Sequence, residues 1–175
     1  SQGVLDIVEE YEGLELVVDQ SHEGWSPDLA METTENALTR YDNEIDAVVA
    51  NNSGMASGAV RALEAQGMAD TDEVFVAGSD ADLINMRYIA QGKQSIDIFK
   101  KVKPLAYEAA RAAVALAKNP DRPIDEIVEV TRFVDNGQVE VPTVVTEIVV
   151  VNQDNIMDTV VADGYHEATD IFSEE

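Results

Sequence analysis

Hydrogen-bonding side chains are concentrated in four short stretches of this 175-residue chain, each directly after an apolar run typical of a buried strand. Residues 19–25 include Trp25, the only tryptophan, and the other stretches are residues 51–53, 79–82 and 100–101. Carboxylates, amides and ammonium groups arranged together can bind a ligand with several hydroxyls, because each hydroxyl both donates and accepts a hydrogen bond. A flat aromatic ring can cover the C–H face of such a ligand, so the set suits a sugar.

The same residues also have a simpler interpretation. Polar residues at strand ends often serve as N-caps of the following helix, and Asn52, Ser53 and Asp80 all suit that role. Trp25 is equally compatible with an ordinary packing position, and Lys100 with an exposed surface charge. Position alone therefore does not decide between a ligand site and a row of helix caps.

The motifs of common enzyme and metal sites are absent from the sequence. It contains no cysteine, no G-x-S-x-G turn, no Walker loop and no H-E-x-x-H pair. His22 and His166 are too few and too far apart to predict a metal site. Residues 54–58 lack the glycine spacing and the lysine of a phosphate loop. Asp80 and Asp82 are a candidate acid–base pair, but their spacing does not place them on one helical face. We therefore predict no catalytic residue, metal or cofactor.

Alternating strand and helix signals predict the framework that positions these residues. Apolar runs predict strands at residues 14–20, 45–50, 74–77, 95–99 and 148–151. Helical periodicity predicts helices at residues 2–11, 27–41, 56–65, 80–91 and 104–118. Asn136 and Gly137, between residues 127–134 and 139–145, predict a hairpin. The alternation before Gly92 indicates an α/β fold with a doubly wound parallel sheet in three α/β/α layers, which binds ligands at the carboxyl ends of its strands.

The chain is strongly acidic, with 35 Asp and Glu against 11 Lys and Arg and a formal net charge of −24. Such a field repels nucleic acid and anionic lipid, so we exclude both as partners. No apolar run approaches the roughly 18 residues of a membrane span, so direct membrane insertion is not expected. Because the acidic residues are spread along the chain, a solvated surface suited to a salty environment is favoured over a patch for a cation or a basic partner.

Four segments resemble the periplasmic sugar-binding proteins of ABC transporters, of the D-xylose-binding type. They are residues 24–52 (GWSPDLAMETTENALTRYDNEIDAVVANN), 78–83 (GSDADL), 97–100 (DIFK) and 152–166 (NQDNIMDTVVADGYH). The segments occur in order over nearly the whole chain. The resemblance implies a periplasmic-binding-protein fold with two lobes and a sugar in the cleft between them.

The resemblance also implies a role for one residue of each polar stretch. Trp25 would stack on the sugar ring, and Asn52, Asp80 and Lys100 would hydrogen-bond to its hydroxyls. One position departs from the pattern, since the family has an aspartate after the asparagine and this chain has Ser53. Loss of that carboxylate either alters which hydroxyl is bound or removes only a contact behind the ligand.

The resemblance further implies that the chain carries only part of the protein. Residues 1–99 would form the C-terminal sugar-binding lobe, and residues 100–147 a crossover segment that packs on a missing N-terminal lobe. Residues 148–175 would return to the C-terminal lobe as a final strand and tail. Hinges are expected near residues 100–103 and 142–147. Without its partner half, the chain would expose the apolar face of residues 104–116 and bind sugar weakly.

The function that follows from the resemblance is capture of a monosaccharide, D-xylose or a related aldose, for import through an ABC permease. The protein would lie in the periplasm or another extracytoplasmic space, with a lipid anchor on a missing N-terminus as one arrangement. One alternative is a sugar-sensing domain of a regulator or sensor, which uses the same fold. Another is a doubly wound enzyme that uses Asp80 and Asp82 on a sugar or phosphate.

Overall fold

Three neighbouring strands of a four-stranded sheet pair in parallel, as their apolar runs predict. In the computed structural model, which describes residues 2–173, the strands of the sheet are β1 (Ala47–Val49), β2 (Phe75–Ser79), β3 (Ile96–Lys100) and β6 (Ile148–Val151), in the order β1-β2-β3-β6. Val49 lies opposite Ala77 in the parallel β1–β2 pair, and Ser79 lies opposite Ile98 in the parallel β2–β3 pair. The predicted α/β class with a parallel sheet is therefore confirmed.

Helices connect and flank these strands. The α-helices of the described residues are α1 (Gln2–Glu10), α2 (Pro27–Arg40), α3 (Ser53–Gln66), α4 (Leu83–Ala90), α5 (Val102–Lys118) and α6 (Ala168–Ile171), and a π-helix spans Met157–Val161. Local signals define their ends. The Ser26 hydroxyl caps α2 by accepting a hydrogen bond from the Leu29 amide at 3.3 Å, and Pro27 occupies the first helical position. α3 ends at Gly67, whose φ of +73° lies in the left-handed region that glycine adopts without strain.

The core forms where α2 and α3 pack on β2 and the residues that lead into the strands. Its buried cluster consists of Leu38, Ile45, Ala56, Val60, Leu63, Val74 and Val76. The three residues from α3 recur at intervals of three or four, which places them on one face of that helix. Gly58, also on α3, lies against the backbone of Pro27, so the two helices approach each other closely.

The prediction of a buried strand at residues 14–20 is wrong. The segment has no strand assignment, and the side chains of Leu14, Leu16 and Val18 are each more than one-third exposed. Only Val17 packs against the core, and its carbonyl accepts a hydrogen bond from the Tyr41 hydroxyl at 3.1 Å. Apolar composition is not enough to make a strand here, because one anchored residue cannot replace a ladder of backbone hydrogen bonds.

The helix predicted at residues 80–91 begins later than expected. Asp80 and Ala81 have φ angles of +120° and +58°, which are incompatible with a right-handed helix. α4 therefore starts at Leu83, after Asp82 as its N-cap residue. The two residues with positive φ form a strained turn between β2 and α4, and this turn carries one of the candidate ligand residues.

The chain divides into two units. One combines the residues up to Phe99 with those from Val150 onward, and it contains the core described above. The other unit is Lys100–Val149. The assignment of residues 1–99, 100–147 and 148–175 to the two lobes of a larger protein stays a prediction.

The second unit contains α5 and an antiparallel hairpin. The hairpin strands are β4 (Arg132–Asp135) and β5 (Glu140–Thr143). Gly137 has a φ of +83°, and the Asn136 Oδ1 atom accepts a hydrogen bond from the Val139 amide at 2.9 Å. The predicted Asn-Gly hairpin is therefore confirmed, with strands shorter than the apolar runs suggested.

The helix α5 has no buried residue despite its apolar composition. Leu105, Val114 and Leu116 are 41% to 52% exposed. An apolar face of residues 104–116 is thus exposed in this unit, and its cover by a missing lobe stays a prediction. No helix of the described residues, α5 included, is long and apolar enough to cross a membrane.

Candidate ligand site at the carboxyl edge of the sheet

The loops that follow β1 and β2 meet at the carboxyl edge of the sheet. The Ala50 amide donates to the Ala77 carbonyl at 2.9 Å, and the Asp80 amide donates to the Ile98 carbonyl at 2.9 Å. These bonds continue the sheet to the point where both loops begin. The loops are then joined directly, because the Ser53 hydroxyl oxygen accepts a hydrogen bond from the Asp82 amide at 3.2 Å. The structure therefore brings together the loops that carry Asn52 and Asp80.

Asn52 is a helix cap as well as a candidate ligand residue. Its Oδ1 atom accepts a hydrogen bond from the Met55 amide at 2.8 Å, so the N-cap interpretation is correct for this residue. The cap occupies Oδ1 and leaves the Nδ2 group of the half-buried side chain to donate to a ligand.

The cap interpretation is wrong for the other two residues to which it applied. Ser53 is the first residue inside α3, and its hydroxyl donates to the Asp97 carboxylate at 2.9 Å. Asp80 lies two residues before the N-cap position of α4, which belongs to Asp82. The half-buried Asp80 side chain is thus not used to begin a helix.

Trp25 is an exposed aromatic residue in the loop before α2. It closes a short 3-10 turn, Glu23–Trp25, and its side chain is 57% exposed, so it does not belong to the core. Two residues later the Pro27 ring lies within 3.5 Å of the position that a Cβ atom on Gly54 would take. The loop that carries Trp25 therefore lies next to the helix that Asn52 caps.

Lys100 is the last residue of β3 and is exposed. It is also the first residue of the second unit, whereas the other three candidate residues lie in the first. Its participation in a common site with Trp25, Asn52 and Asp80 stays a prediction.

A buried carboxylate behind the loops was not singled out from the sequence. The Asp97 Oδ1 atom accepts a hydrogen bond from the Ala81 amide at 2.9 Å. Its Oδ2 atom accepts from the Ser53 hydroxyl at 2.9 Å and from the Gln94 Nε2 group at 3.0 Å. Asp97 has no exposed surface. One side chain of β3 thus connects the loop after β1 with the turn after β2.

Two amide side chains complete this buried cluster. Asn85 donates through Nδ2 to the Ser53 carbonyl at 2.9 Å and to the Gln94 Oε1 atom at 2.8 Å. The Asn85 Oδ1 atom is buried without a hydrogen-bond partner among the described residues. A sequence signal for the cluster did exist, since Asp97 is the one charged residue within the apolar run at residues 95–99, and a charge there requires buried partners.

The strained turn at Asp80 and Ala81 is held from two sides. Asp97 accepts from the Ala81 amide, and the His166 Nε2 atom lies 2.7 Å from the Ala81 carbonyl oxygen. Because a carbonyl only accepts, Nε2 of His166 is the protonated ring nitrogen. The Tyr165 hydroxyl donates to the Asp80 carbonyl at 3.4 Å. His166, which had no predicted role, therefore helps to hold the turn that presents Asp80.

Burial raises the pKa of the Asp97 carboxyl, although the hydrogen bonds from Ala81, Ser53 and Gln94 act in the opposite direction. The folded chain therefore keeps this proton to a higher pH than the unfolded chain. Where the folded state binds more protons, its stability falls as the pH rises.

We expect Asp97→Asn to remove this contribution to the pH dependence of stability. The wild-type chain should lose stability relative to the variant as the pH rises from the unfolded aspartate pKa of about 3.9 through the raised folded value. Urea unfolding of both proteins at a series of pH values from about 4 to 7 measures the difference. Parallel pH curves for the two proteins would contradict a raised pKa at Asp97.

No cluster of three or more His, Cys, Asp or Glu side chains suited to a metal ion occurs among residues 2–173. The Asn52 loop and the Asp80 turn instead bring an amide and a carboxylate to the carboxyl edge, and Trp25 is exposed in the loop before α2. This chemistry suits a neutral ligand rich in hydroxyl groups.

The chain is similar to proteins of known name and structure. A family model described as a periplasmic binding protein domain matches residues 1–121. The D-xylose-binding periplasmic proteins of Escherichia coli and Haemophilus influenzae are 39% and 37% identical to it, over 90% and 91% of the chain. An ABC transporter solute-binding protein from Clostridium phytofermentans with bound β-D-glucose superposes with a TM-score of 0.75 and 27% identity, over 97% of the chain and 54% of that structure. The chain spans about half the length of the two sequence relatives, 46% of each.

Proposed function

Since the chain belongs to the periplasmic binding proteins, a family of binding proteins and not of enzymes, we propose that it captures a monosaccharide for import by an ABC transporter. The observation that carries this proposal is the joining of the Asn52 loop to the Asp80 turn through Ser53 and the buried Asp97. Two polar side chains are thereby presented at one edge of the sheet on a rigid base. Trp25 is exposed in the loop before α2, and Pro27, two residues later, lies beside the helix start that Asn52 caps.

Each candidate residue has a distinct role in the proposed site. Asp80 accepts hydrogen bonds from neighbouring sugar hydroxyls, since a carboxylate offers two acceptor oxygens. Asn52 donates through Nδ2, because its Oδ1 atom already accepts from Met55. Trp25 stacks on the apolar face of the ring. Lys100 donates from the end of β3.

The proposed sugar is D-xylose or a closely related aldose. Both sequence relatives are D-xylose-binding proteins by name, and the solved structural relative holds β-D-glucose. These two sugars share a pyranose ring with the same equatorial hydroxyls and differ by one hydroxymethyl group. A site built from a carboxylate, an amide and a stacked aromatic ring would bind the pyranose ring and the equatorial hydroxyls that the two sugars have in common.

In this proposal the chain lies outside the cytoplasmic membrane, forms a two-lobed binding protein with a partner half, and delivers the sugar to an ABC permease. The length of the sequence relatives and the exposed apolar face of α5 support a partner half for this chain. Closure of two lobes around the sugar would then supply much of the affinity.

The proposal is tested by calorimetric titration of the full gene product with a panel of pentoses and hexoses. We expect saturable binding of D-xylose or a close relative at a stoichiometry of one. Mass spectrometry of the recovered sugar should show it unchanged. Failure of every aldose to bind would overturn the proposal, and conversion of the bound sugar would favour an enzyme.

We expect Trp25→Ala to weaken sugar binding by about 0.5–1.5 kcal/mol, the usual contribution of aromatic packing beyond its buried area. Trp25→Phe should keep most of the affinity because it retains a flat ring. Neither change should lower the unfolding midpoint much, since the side chain is 57% exposed. Equal affinity of the alanine variant and the wild type in the same titration would place Trp25 outside the site.

A further inference from the structure

The buried side chain of Asp97 contacts both the loop that carries Asn52 and the turn that carries Asp80. Asp97 accepts from the Ala81 amide, next to Asp80, and from the hydroxyl of Ser53, next to Asn52. It has no exposed surface and does not itself face a ligand. Gln94 donates to the same carboxylate and keeps it in place.

We propose that Asp97 is a positioning residue of the sugar site, which fixes the Asp80 turn and the Asn52 loop in one geometry. The expected effect of Asp97 on sugar binding rests on the proposed function. In this inference, Asp97 takes the role of the aspartate that the family resemblance places at position 53, where this chain has a serine. Ser53 is fully buried, so the residue at that position lies behind the ligand side chains and does not select the hydroxyl that is bound.

The backbone of the Asp80 turn shows why such an anchor is needed. Both Asp80 and Ala81 have positive φ, a conformation that non-glycine residues keep only when their surroundings hold them there. Asp97 holds the amide of Ala81 and His166 holds its carbonyl. Without the Asp97 carboxylate, the Ala81 amide has lost its acceptor and the turn is free to relax.

The space around Asp97 is restricted. A Cβ atom on Gly78, the β2 residue paired with Asp97, would overlap the Asp97 Oδ2 atom and lie 3.0 Å from both Ala56 Cβ and Gln94 Nε2. The Asp97 carboxylate is therefore tightly packed between β2 and the two loops, and its hydrogen bonds hold both loops in position.

The pairing of Ser53 with Asp97 allows a reciprocal exchange as the test. Asp97→Ser removes the carboxylate, and the double variant Ser53→Asp/Asp97→Ser returns one carboxylate and one hydroxyl to the pair. Val74→Ala is the matched control, because Val74 is a core residue that precedes β2 at its opposite end. Each variant of the full gene product is measured for sugar affinity, unfolding midpoint and amide exchange in the peptide covering residues 79–85.

We expect Asp97→Ser to weaken sugar binding about tenfold or more, the scale of one charged hydrogen bond, and to speed exchange at Ala81 and Asp82. The double variant should recover much of both properties. Val74→Ala should bind sugar with wild-type affinity even where its unfolding midpoint is as low as that of Asp97→Ser. Wild-type affinity in Asp97→Ser overturns the inference, as does an equal loss of affinity in Val74→Ala, since the role would then be one of general stability.

The two proposals fail in different ways. If the wild type binds no sugar, the proposed function fails, and the exchange rates of the unliganded proteins still decide whether Asp97 holds the turn. Unchanged exchange at Ala81 and Asp82 overturns the inference, and faster exchange supports it. If Asp97→Ser does not fold, Ser53→Ala is measured in its place, because loss of this hydroxyl removes its hydrogen bonds to Asp97 and to the Asp82 amide. Its affinity should fall and exchange at Asp82 should become faster, and wild-type values of both would overturn the inference.

Discussion

We expect Asp80→Ala to bind the proposed sugar about 10- to 150-fold more weakly than the wild type, a loss of about 1.5–3 kcal/mol for a hydrogen bond to a charged group. The effect is large because a carboxylate makes charged hydrogen bonds to hydroxyls, and Asp97 and His166 hold the backbone of the turn that presents Asp80. Calorimetric titration of the full gene product with D-xylose measures the change.

Two further variants separate the charge of Asp80 from its effect on the turn. Asp80→Asn keeps a side chain that tolerates positive φ and removes the charge, so it should lose affinity without loss of stability. Asp82→Ala is the matched control, since Asp82 makes no side-chain capping hydrogen bond to α4. Unchanged affinity of Asp80→Ala would remove Asp80 from the site, and an equal loss in Asp82→Ala would make the effect one of net charge.

We expect Gly58→Ala to lower the stability of the chain by about 1–2 kcal/mol in net, because overpacking against backbone atoms costs up to about 3 kcal/mol. A Cβ atom at this position would overlap the carbonyl oxygen of Pro27 and lie 3.1 Å from the Met31 amide nitrogen. Both neighbours are backbone atoms of α2, so no side chain can rotate away and the two helices must separate. The helix propensity of alanine, worth about 1 kcal/mol over glycine, only partly offsets this cost.

Thermal unfolding measures this effect, with an expected decrease in midpoint of about 2–4 °C per kcal/mol for a chain of this length. Gly54→Ala is the matched control in the same helix. Its Cβ atom would meet Asn52 Nδ2 and Pro27 Cγ at 3.5 Å, which is ordinary van der Waals contact, so its stability should stay equal or rise. A wild-type midpoint for Gly58→Ala would show that α2 and α3 are not in close contact at this position.

Much of the fold was predictable because it depends on neighbours along the chain. The first turn of α2 forms around the Ser26 cap and Pro27, and α3 ends at Gly67 because glycine accepts positive φ. The hairpin turn at Asn136 and Gly137 is stabilised within four residues. In each case the residues that define the structure lie within one turn of it.

The failed prediction at residues 14–20 has the opposite cause. Leu14, Leu16 and Val18 have the composition of a buried strand, but burial requires other segments to cover them. Composition alone cannot show whether such a cover is present. The same reasoning applies to α5, whose amphipathic pattern predicts the helix but not its partner.

The sequence by itself determined the α/β alternation and the polar residues that follow each strand, since both depend on local periodicity and on strand ends. The tertiary structure alone decided what these residues do. It buried Ser53 against Asp97 across 44 residues of chain and brought His166 to Ala81 across 85. The physical reason is that a buried polar group is stable only with hydrogen-bond partners, and the partners of Asp97 come from three separate segments that the fold alone assembles.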